Sequence, residues 1–301
     1  MRDQKVNPYL ALAIGVIAVS TSAILVKVAA SPSGVIAFYR LFFSVLFMLP
    51  LFLLKYAGEL RFITMRDWLY SIVAGLFLAF HFIFWFESLN FTSVASSTVL
   101  VTLQPIFAFI GTYFFFKERL SGKAILSGII AVAGSVIISW GDFQISGAAL
   151  FGDFLALAAC ALVTAYLLFG QTVRKRLSLI TYTFVVYTIS TITLFIYILA
   201  VNEPIIPAER KDWIYFILLA LIPTLLGHTL FNWSIKWLST STISMAILFE
   251  PVGATIMAYF LLGENVIATQ MIGGLVIIIG ISLFLIDERK VKIKHMREHS
   301  V

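Results

Sequence analysis

Two long apolar stretches each place a polar side chain directly before a proline. Glu250 precedes Pro251 within MAILFEPVGATIMAYF, and Gln104 precedes Pro105 within STVLVTLQPIFAFIGTYF. A carboxyl group in apolar surroundings is costly, so a chain that keeps one usually uses it, for instance to take up and release a proton. We therefore take Glu250 as the candidate for proton coupling and Gln104 as its uncharged counterpart. A structural hydrogen bond to a neighbouring helix is the alternative role for Glu250.

Two histidines in the apolar runs each belong to a stripe of polar or aromatic side chains. Side chains spaced by three or four residues share one face of a helix. The first stripe contains His81, Trp85 and Ser88, and the second contains Thr224, His228 and Asn232. Such faces can hydrogen-bond a polar ligand while Trp85 or Trp233 stacks on it, and hydrogen bonds between helices are the alternative. Two histidines without further ligands do not predict a metal site.

Arg40 is a cation inside an apolar run, and Lys27 lies near the end of the run before it. A guanidinium can bind a carboxylate through two parallel hydrogen bonds, so Arg40 is a candidate to attract an anionic ligand. Snorkelling to the lipid headgroups is the alternative for both side chains, and the favoured one for Lys27. Ser22, which clusters with Ser20 and Thr21, either lines the same pocket or bonds back to a backbone carbonyl.

The composition defines the surroundings of these residues. The chain has 301 residues, of which 61% are hydrophobic and 12% are charged, and its mean hydropathy is +1.02. Soluble domains contain about 45–50% apolar and about 25% charged residues, so this composition predicts an all-α integral membrane protein. The net charge of +6 lies in loops and the C-terminal tail, and it does not indicate nucleic acid. The single cysteine, Cys160, excludes an internal disulfide and a thiolate metal site.

We expect ten transmembrane helices whose short connections make consecutive helices antiparallel. Most loop lysines and arginines then fall on one side, whereas only Arg210 and Lys211 fall in a loop on the other. The positive-inside rule therefore predicts a cell (cytoplasmic) membrane protein with both termini in the cytoplasm. The first apolar run is longer than a signal-peptide core, so we expect it to be retained. The predicted helices are approximately residues 9–28, 35–54, 68–89, 94–116, 122–140, 149–170, 180–201, 213–235, 239–262 and 268–286.

An internal repeat divides these helices into two groups of five. A shift of 146 residues places Pro105 on Pro251, and it also aligns Glu118 with Glu264 and Gly134 with Gly280. Because five is odd, the second copy enters the membrane from the opposite face, and inverted copies commonly enclose a substrate site near the midplane. The predicted domains are residues 1–141 and 142–287, one five-helix repeat each, followed by a basic cytoplasmic tail at 288–301.

The sequence resembles EamA-type permeases of the drug/metabolite transporter (DMT) superfamily. The resemblance covers nearly the whole chain and is carried by ILVK, FYRLFF and ESLNFTSVASS together with the two Pro/Glu/Gly segments that begin LQPIFAF and FEPVGAT. It implies ten helices in two inverted copies and the export of small metabolites, often amino acids or drugs. The family usually has Glu before the proline in one or both copies, and here the first copy has Gln104.

We therefore expect a secondary transporter that exports a small organic metabolite, an amino acid or a related zwitterion or aromatic compound, by alternating access, with protons as a candidate coupling ion. The predicted substrate-binding residues are Ser22, Arg40, His81, Trp85, Gln104, His228, Asn232, Trp233 and Glu250. The alternatives are a lipid flippase or lipid-binding protein and a nucleotide-sugar or sugar-phosphate exchanger. No enzyme motif is present, and we expect no cofactor. The expected partners are a small-molecule substrate and the lipid bilayer, and a homodimer through helices 5 and 10 is a further candidate.

Overall fold

The computed structural model is a helical bundle, and it describes residues 7–92, 94–140, 147–263 and 266–298. Across these ranges the chain forms ten helical segments that follow the predicted order, and nine of them are long and apolar enough to cross a membrane. The segments are α1 (Pro8–Val28), α2 (Ser33–Phe62), α3 (Met65–Phe91), α4a (Val94–Val101) with α4b (Gln104–Phe116), α5 (Gly122–Ser139), α6 (Gly147–Val173), α7 (Leu179–Val201), α8 (Asp212–Ser234), α9a (Thr240–Ile247) with α9b (Glu250–Leu262), and α10 (Ala268–Glu298).

Hydroxyl N-caps fix the starts of four helices. In each case a Ser or Thr side chain accepts a hydrogen bond from a backbone N–H in the first turn, which would otherwise have no partner. These caps are Thr64 before α3, Ser121 before α5, Ser178 before α7 and Ser239 before α9a. All four lie at the same end of the bundle, where the chain leaves the apolar layer.

That end, which we call the basic face, is held together by side chains from both halves of the chain. Glu59 between α2 and α3 accepts hydrogen bonds from Ser178 and Thr181 at the start of α7. Arg176 forms an ion pair with Asp67. Further links join Pro8 to Ser234, Gln171 to Thr240, Ser121 to Asp287 and Thr242 to Glu288. The beginning of α1 and the residues near 288 in α10 therefore lie at the same face.

The opposite face is formed by the loops that leave the other ends of the helices. Asp212 at the start of α8 accepts hydrogen bonds from the Ala30 amide, at 3.2 Å, and from the Ser31 hydroxyl, at 2.6 Å. Thr92, after α3, donates a 2.8 Å hydrogen bond to Asp153 near the start of α6. The helices therefore alternate in direction, α1 starting at the basic face and α6 at the opposite face. The prediction of two inverted five-helix copies is confirmed.

The two copies pack symmetrically against each other. Helix α1 packs on α8 while its counterpart α6 packs on α3, and the self-matching pairs α2–α7 and α5–α10 complete the bundle. Helices α5 and α10 cross very closely, because a Cβ on Gly134 would lie 2.7 Å from the Ile277 backbone nitrogen and 2.8 Å from the Gly273 carbonyl oxygen. The largest apolar core lies between α1, α2, α3, α6, α7 and α8.

Several boundaries differ from the sequence prediction. Helix α2 continues to Phe62 through a π-helical turn, Phe52–Tyr56, and a 3₁₀ turn, Ala57–Phe62. Helix α10 continues to Glu298 because the predicted tail is rich in Lys and Glu, which favour helix. The repeat boundary at 141/142 and Glu264 lie outside the residues that the structure describes.

Candidate functional site

Helices α4 and α9 are both interrupted in the middle, where the two copies meet. In α4 the helical backbone ends at Val101 and restarts at Gln104, with Pro105 in the first turn of α4b. In α9 it ends at Ile247 and restarts at Glu250. Proline cannot donate a backbone hydrogen bond to the preceding turn, so each helix loosens one turn before it. The two breaks place the side chains of Gln104 and Glu250 at the centre of the bundle.

A small cavity lies between the breaks, enclosed by both copies. Its volume is about 20 Å³, which is room for a single water molecule. Val101 and Ile247, from the two breaks, form part of its apolar wall together with Phe231. The predicted site residues that line it are Ser22, His81, Trp85, Gln104, His228 and Glu250. Six predicted residues, separated by up to 228 positions in the sequence, therefore meet at one point.

Three of these lining side chains carry a buried polar atom that has no hydrogen-bond partner within the described part of the chain. The atoms are the indole Nε1 of Trp85, the amide Oε1 of Gln104 and the Nδ1 of His228. An unsatisfied buried polar atom costs about 1–3 kcal/mol, so each one is a place where a water or a ligand would be stabilised. The indole can only donate and the amide oxygen can only accept. The site therefore offers both kinds of hydrogen bond to a guest molecule.

The orientation of the His81 ring is fixed by the backbone of α6. Its Nδ1 lies 2.9 Å from the carbonyl oxygen of Ala159. A carbonyl oxygen can only accept, so Nδ1 carries the proton and, in the neutral ring, Nε2 is an acceptor. The ring also stacks on Trp85, with centroids 5.8 Å apart. His81 thus adds an oriented acceptor beside the indole donor.

Arg40 does not line the cavity but lies directly behind it. The guanidinium is completely buried and rests on the face of Phe82, 4.2 Å from the ring centroid. Its Nε donates to Thr224 at 2.7 Å and its Nη1 donates to Ser22 at 2.8 Å. The Arg40 side chain therefore does not snorkel to the lipid headgroups.

Thr224 reaches Arg40 because α8 is not a regular α-helix in this region. A π-helical stretch covers Ala220–His228 and contains Pro223. The wider turn changes the direction of the side chains that follow the proline. Such π-helical segments often occur at functional sites. The sequence spacing predicted that Thr224 and His228 share a face, but nothing in it indicated the π-helical stretch.

Two predicted site residues lie elsewhere. Asn232 is buried beside the cavity, but its amide donates to the hydroxyl of Tyr166 and, at 3.0 Å, to the His228 carbonyl oxygen instead of lining the space. Trp233 is one position further around the helix and packs on Trp237 with ring centroids 4.3 Å apart. Trp233 is thus not among the residues that line the cavity, and its stacking on a ligand stays a prediction. Tyr166 was missed because it lies in an apolar run without a polar neighbour at helical spacing.

A much larger space opens at the opposite face. This vestibule has a volume of about 350 Å³ and lies between the end of α1, the start of α2 and the end of α3. Lys27, Ser33 and Asn90 supply its polar wall, and Ile36 and Phe86 lie on its apolar side. Phe86 is also 5.9 Å from the Arg40 guanidinium. A thin layer of side chains thus separates the vestibule from the buried site, whereas the basic face is tied together by the contacts described above.

Comparison with known proteins identifies the family. The sequence profile of the EamA-like transporter family matches residues 7–140 and 150–286, one match in each copy. The chain belongs to the EamA-like transporter family. The family resemblance predicted from the sequence is confirmed, and the protein is a multi-pass membrane protein of a transporter family.

Its relatives share the transporter description. The uncharacterized transporter YxxF of Bacillus subtilis is 29% identical over 225 residues, 73% of this chain and 71% of the relative. An uncharacterized transporter of Archaeoglobus fulgidus is 24% identical over 90% of this chain and 93% of the relative. The riboflavin transporter ImpX of Fusobacterium nucleatum is 22% identical over 64% and 66% of the two chains.

A solved crystal structure has the same fold. It superposes with a TM-score of 0.77 and covers 94% of this chain and 98% of its own, at 18% identity. The likeness extends across both five-helix copies. At this level of identity it supports the architecture and not a substrate.

Proposed function

We propose that this EamA-like transporter moves a small polar metabolite by alternating access, with the cavity between the α4 and α9 breaks as the substrate site. The observation that carries the proposal is that Trp85, Gln104 and His228 all line this cavity and that each has a buried donor or acceptor atom without a partner among the described residues. Buried polar atoms in a membrane protein are retained where a guest supplies the missing hydrogen bonds.

The conformation fits one stage of such a cycle. A cavity of about 20 Å³ is too small for a metabolite, since ligand pockets occupy about 300–1,000 Å³. The vestibule of about 350 Å³ is within that range, so a substrate would pass from the vestibule to the cavity when the Phe86 layer moves. Closure of the vestibule and release of the basic-face contacts would then expose the cavity to the other side.

We propose that the substrate is an amino acid or a related zwitterion or aromatic compound, and that the physiological direction is export. The cavity combines a carboxyl group with an indole wall, which suits a small molecule with a polar and an aromatic part. The name of the riboflavin transporter ImpX adds an aromatic heterocycle to the compounds to be tested. We also propose the cell membrane as the location, with the basic face and both termini in the cytoplasm.

Proton coupling through Glu250 is part of the proposal. The carboxyl group lines the cavity, and within the described ranges it forms no ion pair with Arg40, which lies behind the cavity. A proton on Glu250 would therefore change the electrostatic balance that a substrate meets.

Two other functions fit the observed burial less well. A lipid flippase would present polar side chains toward the bilayer, whereas the polar atoms of this site are buried between helices. A nucleotide-sugar or sugar-phosphate exchanger would need several cations around its site to hold phosphates. Among the residues whose positions are described, Arg40 is the buried cation next to the cavity.

Transport by purified protein in liposomes tests the proposal. We expect uptake of at least one compound from a panel of amino acids, amines and riboflavin, and a dependence of that uptake on an imposed pH gradient. Glu250→Gln should transport without the gradient dependence, whereas Glu209→Gln, an exposed acid in the α7–α8 loop, should behave like the parent. If Glu250→Gln keeps the full gradient dependence, Glu250 is not the coupling acid.

A further inference from the structure

At each face of the bundle, a glutamate of one copy contacts the first turn of a helix in the other copy. At the basic face, Glu59 of the first copy accepts hydrogen bonds from Ser178 and Thr181 at the start of α7. At the opposite face, Glu203 of the second copy lies against the start of α2, where a Cβ on Gly34 would be 2.5 Å from the Oε2 of Glu203. The shift of 146 residues that relates the copies also places the first residue of α2 on the first residue of α7. The two glutamates therefore hold equivalent helix starts.

A pair of aspartates repeats the same relation. Asp67 in the first turn of α3 forms an ion pair with Arg176, and Asp212 in the first turn of α8, the counterpart of α3, accepts hydrogen bonds from the Ala30 amide and the Ser31 hydroxyl. The same shift places Arg176 on Ala30. Each face thus has a glutamate and an aspartate that bridge the two copies, but the cation is present only in the contact at the basic face.

The end of α7 explains why Glu203 reaches α2. Asn202 ends the helix in the left-handed conformation, with φ of 55°, which asparagine adopts more easily than most residues. The chain then reverses, and the Glu203 amide donates to the Ile198 carbonyl oxygen at 3.1 Å. The first N–H groups of a helix have no partner within that helix and favour an anion. Those of Gly34 and Val35 interact with the Glu203 carboxylate in this way.

The charges around Glu203 differ from those at the basic face. The titratable groups that face it are Glu87 of α3 and Tyr197 of α7. Among the described residues no lysine or arginine forms an ion pair with Glu203, and its buried Oε2 has no hydrogen-bond partner. Burial and the charge of Glu87 raise the pKa of Glu203. The contact of Glu203 with α2 is therefore most favourable when Glu203 carries a proton.

The contacts at the opposite face hold part of the vestibule wall. Ala30, Ser31 and Ser33 line the vestibule and belong to the first copy, whereas Glu203 and Asp212 belong to the second. When two inverted copies rock against each other, the contacts that bridge them at one face must break before that face opens. Release of Glu203 and Asp212 would therefore free the vestibule wall to move and expose the cavity.

We propose that Glu203 and Asp212 form an opposite-face latch, equivalent to Glu59 and Asp67 at the basic face, and that loss of the Glu203 proton releases it. This inference rests on the proposed alternating-access function. It adds the residues that control the opposite face and a dependence on the pH at that face. Both are positioning residues, since neither lines the cavity. Protonated Glu203 keeps an acceptor oxygen for α2, whereas ionised Glu203 is repelled by Glu87.

Access to the cavity from each side tests the opposite-face latch. In a Cys160→Ser background, Gln104→Cys is labelled at pH 6 with a membrane-impermeant thiol reagent in oriented vesicles. Glu203→Ala removes the carboxylate, and we expect labelling from the opposite face to rise about fivefold, the effect of losing one hydrogen bond. Asp212→Ala should act in the same direction, whereas Glu209→Gln, an exposed acid of the same loop, should label like the parent. Unchanged labelling in both alanine variants overturns the inference.

A pH series separates a latch that is controlled by a proton from a contact that is only structural. Glu203→Gln keeps an acceptor oxygen and cannot ionise, so it resembles the protonated form. We expect the ratio of labelling in the parent to labelling in Glu203→Gln to rise as the pH at the opposite face increases from 5 to 8. Each ratio is taken at one pH, because thiols react faster as they ionise. Glu87→Gln should flatten the series, and a constant ratio in the parent overturns the role of the proton.

A further variant and the liposome assay make each failure distinguishable. If Glu203→Ala does not fold, Gly34→Ala displaces the carboxylate without removing a charge, and the same rise in labelling is expected. If the latch variants label like the parent while liposomes still take up a compound, the latch is wrong and the transport function stands. If liposomes take up no compound of the panel and Gln104→Cys is labelled from neither face, the proposed function itself fails.

Discussion

At the scale of single residues, the site is marked by buried polar atoms that have no hydrogen-bond partner among the residues whose positions are described. The helix backbones satisfy most buried hydroxyls, for example Ser20, which donates to the Val16 carbonyl oxygen at 2.8 Å. Trp85 and Gln104 differ because they line the cavity and because the Nε1 of Trp85 and the Oε1 of Gln104 have no hydrogen-bond partner among the described residues. A ligand can therefore gain hydrogen bonds there without displacing existing ones.

The indole of Trp85 gives a clean test of one such atom. Trp85→Phe removes the Nε1 donor and keeps most of the ring, so we expect ligand affinity to fall about fivefold, corresponding to a hydrogen bond of about 1 kcal/mol. The stability of the unliganded protein should stay the same or rise, because a buried donor without a partner is lost. Binding of a stabilising amino acid, followed by thermal shift or calorimetry, measures the affinity. Trp237→Phe, at a ring that is 39% exposed, should change neither quantity.

Glu203, in the loop after α7, predicts a pH dependence of stability. Burial and the nearby charge of Glu87 raise the pKa of Glu203, and the backbone N–H groups of Gly34 and Val35 offset this only in part. The folded protein then holds this proton more tightly than the unfolded chain, so the contribution of Glu203 to stability is largest at acidic pH and is lost as the pH rises through the raised pKa.

Thermal denaturation of the parent and of Glu203→Gln between pH 5 and pH 8 measures this contribution. We expect the parent to lose stability relative to the variant as the pH increases. A constant difference between the two proteins across the range would contradict the assignment. Glu209→Gln, an acid of the same loop, controls for the change in net charge.

At the scale of elements, irregular helices position the residues of the site, and regular helices form the rest of the bundle. The breaks in α4 and α9 and the π-helical stretch of α8 bring Gln104, Glu250 and His228 to the cavity. Helices α5 and α10 lie apart from it and pack through Gly134, Gly273 and Gly280. Changes in this pair should therefore affect stability and not recognition.

The α5–α10 crossing can be tested with a single methyl group. Gly134→Ala places a Cβ against the backbone of α10, which cannot move aside cheaply, and we expect the free energy of unfolding to fall by about 1–3 kcal/mol. Gly122→Ala, where a Cβ meets nothing within 4 Å, should not destabilise the protein. Denaturation in detergent compares the two variants. Ligand affinity of the folded fraction should equal that of the parent. A selective loss of affinity in Gly134→Ala would contradict the conclusion that the packing of α5 on α10 does not affect ligand binding.

At the scale of the whole molecule, the two faces are not equivalent in this conformation. The opposite face contains an open vestibule, while Glu59, Asp67 and Arg176 join the loops of the two copies at the basic face. Two residues before Arg176, Arg174 donates to the Asn232 carbonyl oxygen at 2.8 Å, and the Asn232 amide donates to the carbonyl oxygen of His228 at 3.0 Å. The segment that carries Arg176 is therefore linked to a residue of the cavity wall.

Weakening these contacts should shift the protein toward a conformation open at the basic face. In a Cys160→Ser background, a cysteine at position 104 can be labelled with a membrane-impermeant thiol reagent from either side of oriented vesicles. Glu59→Gln loses charge-assisted hydrogen bonds to the start of α7, and we expect labelling from the basic side to increase up to about tenfold. Arg66→Gln, in the same loop region, should leave it unchanged. Equal labelling in parent and Glu59→Gln would mean that Glu59 does not keep this face closed.

The sequence by itself determined the membrane class, the ten helices and their inversion, because apolar length, loop charge and the repeat of Pro105 on Pro251 are local or periodic signals. It also predicted the six side chains that line the cavity, since polar groups in an apolar helix must turn toward protein. Only the tertiary structure decided that Arg40 lies behind Ser22 and that Trp233 is excluded, because neighbouring helices fix those contacts. The vestibule and the contacts at the basic face likewise depend on how the ten helices pack against one another, which no single stretch of sequence encodes.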